Sequence, residues 1–250
     1  MPFTFSHPAI VLPLKKLSRG AFSLTGLIIG SITPDFEYFI RMRVKSVYSH
    51  SLLGLFWFDI PLALLLTFVY HNLVRNKLIA NLPAFLNNRL NCFTRFNWNE
   101  FFKENWFVVF LSIAIGSASH LLWDSFTHPT GFFVHRLEFL QKGPKILSKH
   151  VPLYWILQQL SSLIGGAIVI WAILRLNSKP SIQSLHKVYY WLMVGGIMAI
   201  TLGCRFCGGL NFRMYADIIM TAIAGLILAI SIAPVIFQLS SRNTTSREHL

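Results

Sequence analysis

Five long runs of apolar residues alternate with polar segments along the chain. They cover residues 52–71, 106–124, 151–174, 187–203 and 214–238. The second run contains no formal charge from 106 to 123, about the length that crosses a hydrocarbon core of roughly 30 Å. Trp and Tyr residues fall mostly near the ends of the runs, as in the aromatic belts of membrane proteins. The pattern predicts an all-α, polytopic helical membrane bundle with five full spans.

The first 40 residues allow two interpretations. Residues 21–40 are apolar enough to begin a sixth span, but Pro34, Asp35 and Glu37 interrupt the run before it reaches full length.

The alternative is a short helical hairpin. Its arms would be residues 8–17 and 21–33, joined by a turn at 18–20. Because the arms are of similar length at about 1.5 Å per residue, His7 would return beside Asp35.

The composition changes what class of protein is expected. Hydrophobic residues make up 54% of the chain and charged residues only 12%, whereas ordinary soluble domains are about 25% charged. The formal net charge is +13, but Lys and Arg lie between the apolar runs rather than along one helical face. We therefore expect an integral membrane protein in contact with the lipid bilayer and its anionic headgroups, and no nucleic acid.

The domain organisation predicted from these runs is simple. Residues 1–238 form a single integral membrane domain, in which 1–135 carry the polar motifs and 136–238 supply the C-terminal helices. Residues 239–250 are a polar tail that we expect to be disordered.

Regularly spaced polar residues lie at the end of the second apolar run. In GSASHLLWDSFTH, His120, Asp124 and His128 follow one another at intervals of four. Inserting an ionised Asp near the centre of a membrane helix costs about 2.5 to 3.5 kcal/mol of free energy. Asp124 is therefore expected either to lie at the rim of the membrane or to pair with a cation or a metal. The i, i+4 pair suits two ligands of one ion. The alternative is that His120 only hydrogen-bonds inside the bundle and Asp124 caps a turn.

Topology gathers further polar groups on the same side of the membrane. Since the first two clear spans are antiparallel neighbours, the start of one and the end of the other face the same leaflet. The groups that meet there are Asp35, Glu37, His50, Asp124 and His128. The hairpin would add His7. Helix capping by Asp35 and by the region of His7 remains an alternative, and Glu37 fits a solvated or supporting role better than a ligand.

Four segments carry a resemblance to a known family. FTFSHPAIVLPL, GSITPDFEYF, YSHSLLGLFWFDIP and GSASHLLWDSFTHPTG resemble the successive motifs of the bacterial membrane family domain of unknown function 4184, over about residues 1–135. More distantly they are similar to the LexA-binding, inner-membrane-associated predicted metal-dependent hydrolases. The chain departs from that distant group by having Glu37 at the end of the Pro-Asp-x-Asp pattern and by lacking His-Arg before the His-Ser motif. The resemblance implies a bacterial cytoplasmic (inner) membrane location and metal-dependent hydrolysis.

The first functional hypothesis is a membrane-embedded metal-dependent hydrolase acting at the level of the lipid headgroups, on a phosphoester or lipid-derived substrate. The predicted ligands of a divalent metal are His7, Asp35, His50, His120 and Asp124. This His and Asp mixture suits Zn, Mn or Fe, with Zn and Mn foremost. The predicted catalytic residues are His128, as ligand or general acid/base, and Asp124. Arg41, Arg43 and Lys45 are predicted to bind an anionic group of the substrate.

Two hypotheses come from other classes. A transporter or ion-conducting protein would use the same His and Asp groups for protons or a metal in transit, although such sites usually lie near the bilayer midplane. A non-catalytic membrane scaffold would use the motifs for helix packing.

Overall fold

A computed structural model of the protein describes residues 3–17, 21–146, 149–181 and 183–245. The α-helices, in chain order, are α1 (Pro8–Leu17), α2 (Leu24–Ile32), α3 (Phe36–Arg41), α4 (Leu52–Asn81), α5 (Ala84–Leu90), α6 (Trp98–Thr127), α7 (Phe132–Arg136), α8 (Glu138–Gln141), α9 (Leu153–Leu174), α10 (Lys187–Cys207) and α11 (Tyr215–Thr245). Short 3-10 turns cover Thr4–Ser6, Thr33–Asp35 and Asn91–Phe93. The strands within the described residues are β1 (Lys145–Ile146) and β2 (Lys149–His150), which pair antiparallel.

Five helical segments of the described chain are long and apolar enough to cross a membrane. They are Leu52–Asn81, Trp98–Arg136, Leu153–Leu174, Lys187–Cys207 and Tyr215–Ile236. The predictions of an all-α bundle and of five spans are confirmed, and the chain is an integral membrane protein.

Several helices extend further than the apolar runs. α4 continues to Asn81 and α6 begins at Trp98, so the connection between them is shorter than the sequence indicated. α11 continues to Thr245, into the predicted tail, of which residues 246–250 lie outside the described residues. The difference has a simple cause: apolar length measures the hydrocarbon crossing, whereas backbone hydrogen bonding sets where a helix ends.

Two of the spanning helices are irregular. α4 contains π-helical stretches at Leu55–Asp59 and Tyr70–Val74. α6 is kinked at Asn105, whose φ of −127° and ψ of 28° are not helical and whose Nδ2 donates to the Phe101 carbonyl at 3.1 Å. π-helical turns and side chains that bond into the helical ladder are usual causes of bends in long helices.

The N-terminal segment forms the two arms of the predicted hairpin. α1 and α2 pack against each other, and neither is among the five membrane-crossing segments. The predicted turn at 18–20 lies outside the described residues. The hairpin interpretation therefore describes α1 and α2 better than a sixth span does.

The chain divides into two compact units. The first comprises Met1–Phe36, Val47–Thr67 and Phe101–Arg175. The second comprises Glu37–Ser46, Phe68–Glu100 and Leu176–Leu250.

In the first unit, α2 lies directly against α6. A Cβ atom at Gly30 would come within 2.9 Å of the Ile113 Cα, and one at Gly116 would come within 2.7 Å of the Ser31 amide nitrogen. Close backbone contact of this kind requires small residues, as in other membrane helix pairs. The contact places the C-terminal end of α2 against one face of α6. His120 and Asp124 lie further along that same face.

In the second unit, α10 and α11 pack along much of their length. Tyr190 and Val194 of α10 meet Ala229 and Ala233 of α11 in a buried apolar cluster. Small alanines on one helix accept large side chains from the other, which allows close packing.

Candidate metal centre

Four acidic and imidazole side chains of the first unit converge on one point. Asp35, His50, His120 and Asp124 each offer one ligand atom, and these four atoms all lie within 4.8 Å of one another. The His120 Nε2 is 3.5 Å from both the Asp35 Oδ1 and the Asp124 Oδ2. The His50 Nε2 is 3.6 Å from the same two oxygens. The sequence predicted each of these four residues as a metal ligand, and the structure brings them together.

The spacing of these atoms suits a small divalent cation. Tetrahedral coordination with bonds of about 2.0–2.2 Å separates neighbouring ligand atoms by about 3.3–3.6 Å. The four nitrogen to oxygen distances of 3.5–3.6 Å fall at the upper end of that range. Two carboxylates also balance the charge of a divalent ion, which matters in a buried position. The donor set therefore fits a metal in both geometry and charge.

Both imidazoles are fixed with the Nε2 atom towards this point. The His120 Nδ1 lies 2.8 Å from the carbonyl oxygen of Ser31, which has only acceptor capacity, so the Nδ1 carries the proton. The Nε2 lone pair of a neutral His120 then faces the carboxylates. The His50 Nδ1 is likewise engaged, at 2.9 Å from the Ser49 hydroxyl. Metal-binding histidines use their second nitrogen in this way, and the partner sets tautomer and ring orientation.

Asp35 is held by a residue near the N-terminus. The Thr4 hydroxyl donates to the Asp35 Oδ2 at 2.6 Å, which leaves Oδ1 facing the histidines. Asp35 ends the 3-10 turn that follows α2, and it is completely buried. Its position thus depends on both the hairpin and the segment that precedes it.

Several buried polar atoms around this point have no hydrogen-bond partner among the described residues. They are His7 Nε2, Asp35 Oδ1, His120 Nε2, Asp124 Oδ1, Asp124 Oδ2 and His128 Nε2. A buried polar atom left without a partner costs about 1–3 kcal/mol. Their concentration at one place indicates that the site is built for a ligand such as a cation or water.

His7 lies beside the four-residue cluster rather than within it. Its ring stacks on His120 with 3.8 Å between centroids, and its Nε2 is 3.8 Å from the Asp124 Oδ1. The hairpin prediction placed His7 in the same group of side chains as Asp35, and this is where the structure has it.

Burial and neighbouring charges set the protonation of His7 and Asp35. Burial, with the adjacent His120 ring, lowers the pKa of His7 to about 3, so its imidazole is neutral near pH 7. Burial by itself raises the pKa of the Asp35 carboxyl, but His120 and His50 lower it by more, and it remains ionised.

His128 lies one turn beyond Asp124, with its amide donating to the Asp124 carbonyl at 2.9 Å. Its Nδ1 is 3.4 Å from the Thr130 hydroxyl. It is not one of the four side chains that converge, and its predicted catalytic role stays a prediction.

The other predicted site residues belong to the second unit. Arg41 Nε donates to Glu37 Oε1 at 2.7 Å, while the Ser46 hydroxyl donates to Oε2 at 3.1 Å. Arg43 Nε lies 3.8 Å from the Asp217 Oδ2, and the Lys45 side chain is exposed. The charges of Arg41 and Arg43 are thus matched by carboxylates, and their role towards a substrate stays a prediction.

Three residues that support the ligands were not predicted. Thr4, Ser31 and Ser49 bind Asp35, His120 and His50 through hydrogen bonds. The only signal for Ser49 was its place next to His50. Nothing in the spacing pointed to Thr4 or Ser31, because both contacts join segments that are distant in the chain.

Comparison with known proteins identifies a family for this chain. The profile of the family described as domain of unknown function (DUF4184) matches residues 1–236. No match was found among curated proteins or among solved structures. The match covers the motifs that carry the four converging residues and nearly all of the remaining chain, including all five membrane-crossing segments. The protein belongs to the DUF4184 family.

Proposed function

We propose that this protein is a membrane-embedded, metal-dependent hydrolase whose cofactor is a divalent ion, Zn or Mn, held by Asp35, His50, His120 and Asp124. The observation that carries the proposal is the convergence of these four ligand atoms within 4.8 Å, with both imidazoles fixed through Nδ1.

The chemistry of the donors favours a catalytic metal over a merely structural one. Structural zinc sites are mostly built from cysteines, whereas mixed His and carboxylate sites are typical of hydrolytic metals. All three cysteines of the chain are free and exposed. A bound divalent metal would polarise an ester oxygen and lower the pKa of a water molecule towards 7.

His7 carries an imidazole next to the four converging side chains, where it can move a proton. Its Nε2 is buried and lies 3.8 Å from the Asp124 Oδ1, beside the proposed metal position. We assign it the role of proton acceptor. In hydrolysis, the water oxygen bonds to the phosphorus or carbonyl carbon and gives its proton to His7 Nε2. The bond from that atom to the ester oxygen breaks, and His7 returns the proton to the leaving oxygen.

The place of the site in the chain supports a substrate at the headgroup level. Asp124 lies near the end of α6, after the uncharged run, and His50 precedes α4. Both positions are expected at the boundary between hydrocarbon and headgroups. A phosphoester or carboxylic ester of a membrane lipid is therefore the proposed substrate class, and the bacterial cytoplasmic membrane is the proposed location.

The proposal is tested by turnover. Purified protein is stripped with a chelator, supplied with Zn or Mn, and mixed with phospholipid in detergent micelles, and release of the headgroup or fatty acid is measured. We expect hydrolysis that requires the metal and that is abolished in Asp124→Asn. Metal binding without hydrolysis of any lipid ester, accompanied by metal or proton flux in proteoliposomes, would favour the transport alternative. Protein that neither binds metal nor hydrolyses lipid would favour the scaffold.

A further inference from the structure

A cavity of about 510 Å³ opens beside His7 in the first unit. Its wall is mostly apolar and is formed by α9, the end of α6 and the beginning of α1. Its apolar side chains include Leu157, Leu160, Ile164 and Ile168 of α9 with Trp123 and Phe126 of α6. The volume lies within the range of about 300–1,000 Å³ found for small-molecule sites.

The α9 wall is one continuous helical stripe. Leu157, Leu160, Ile164 and Ile168 follow the i, i+3, i+7, i+11 spacing of a single helix face. At about 1.5 Å per residue the stripe is about 16 Å long, close to half of the roughly 30 Å hydrocarbon thickness. A groove of that length matches the hydrocarbon of one leaflet.

The hydroxyl groups of the wall are bonded to backbone. Ser6 donates to the Ser162 carbonyl at 2.8 Å, Thr127 to Trp123 at 3.1 Å and Ser161 to Gln158 at 3.0 Å. None of these three hydroxyl protons is therefore available to a ligand. The wall suits a hydrocarbon better than a polar solute.

His7 joins this groove to the proposed metal centre. It lines the cavity, stacks on His120, and holds its Nε2 3.8 Å from the Asp124 Oδ1. A molecule lying in the groove would thus have one part next to the residue that we assign to proton transfer.

We propose that the groove holds one hydrocarbon chain of a membrane lipid and so positions the ester of that lipid at the metal centre. The inference rests on the proposed function and names its substrate class as a lipid that enters sideways from the bilayer. Since α6 and α9 are both membrane-crossing helices, hydrocarbon is the medium from which this groove is filled.

Saturable photolabelling tests the groove separately from the metal. Delipidated protein in detergent is titrated with a phosphatidylglycerol that carries a diazirine in one acyl chain, and labelled peptides and bound metal are measured in the same samples. We expect labelling to saturate at one lipid per protein and to fall on α6 and α9 near the stripe.

Two variants should block the groove, and a third serves as control. Leu160→Trp and Ile164→Trp place an indole in the cavity, where overfilling should lower labelling about tenfold. Leu163→Trp adds the same group on the same helix, but Leu163 is 72% exposed and does not line the cavity. Its labelling should match the wild type, and all three variants should retain metal.

Three outcomes of this experiment would contradict the lipid site or the catalysis. The proposed lipid site is overturned if labelling does not saturate, or if Leu163→Trp lowers labelling as much as Leu160→Trp and Ile164→Trp do. Either result counts even if metal binding persists. Absence of lipid labelling from a protein that is dimeric in the same detergent would identify a second copy as the occupant and overturn it too. Saturable labelling in a protein that binds no metal would overturn the proposed catalysis but not the lipid site.

Discussion

The His120 Nδ1 lies 2.8 Å from the carbonyl oxygen of Ser31, a residue 89 positions earlier in the chain. This single contact fixes the imidazole so that its Nε2 faces Asp35 and Asp124. It exists because α2 and α6 touch through glycine, with Gly116 against the backbone of α2. The helix packing and the metal chemistry are therefore coupled.

Substitution at the helix contact should weaken the metal site from a distance. In Gly116→Leu, the new side chain would meet the Leu27 carbonyl and the Ser31 amide, so α2 must move away from His120. We expect unfolding free energy to fall by about 1–3 kcal/mol and metal affinity to fall about 10–100-fold. Thermal unfolding and metal titration measure the two effects.

Gly195→Leu provides the matched control on α10. A Cβ at Gly195 would meet no atom of the described residues within 4 Å. The control should bind metal as the wild type does. Equal metal affinity in Gly116→Leu would contradict the coupling of packing and site.

Loss of the Thr4 hydroxyl should loosen Asp35. Thr4→Val keeps the shape of the side chain but removes the donor that lies 2.6 Å from the Asp35 Oδ2. We expect metal affinity to fall about 10–100-fold, as for other partners of metal ligands. Isothermal titration with Zn or Mn measures this change.

Thr67→Val is the comparison for Thr4→Val. Thr67 is also buried in the first unit, but its hydroxyl donates to the Leu64 carbonyl of its own helix. Its metal affinity should stay unchanged. A similar loss in both variants would mean that Thr4 acts on stability rather than on Asp35.

His7→Ala should separate metal binding from turnover. Because His7 lies outside the four-atom cluster, the variant should keep its metal while hydrolysis falls about 10²–10⁴-fold, the usual contribution of a general base. Metal analysis and initial rates on one preparation test this. Loss of the metal would instead make His7 a fifth ligand, in agreement with the sequence prediction.

The fold was largely predictable because the length of an apolar run is enough to identify a membrane-spanning helix. The uncharged run before Asp124 and the runs that became α9 and α10 required no tertiary information. The ends of α4 and α6 were not predictable in this way, since they lie outside the apolar runs and depend on backbone hydrogen bonds.

The metal ligands of the candidate site could be predicted from the sequence, but the residues that hydrogen-bond those ligands could not. His120 and Asp124 stand out by their i, i+4 spacing, and Asp35 and His50 by topology. Thr4 and Ser31 carry no such signal, because hydroxyls and backbone carbonyls occur throughout the chain. Which of the predicted residues converge depended on the close approach of α2 to α6, which the sequence did not indicate.

The proposed metal centre is tested most simply by the metal content of Asp124→Asn beside wild type and His186→Ala, each purified without chelator. Asn keeps the size and capping ability of Asp but removes the charge, and His186 is an exposed histidine of the second unit. We predict one Zn or Mn per chain in wild type and His186→Ala and none in Asp124→Asn. Retained metal in Asp124→Asn, or a wild-type protein without bound metal, would contradict a metal centre that includes Asp124.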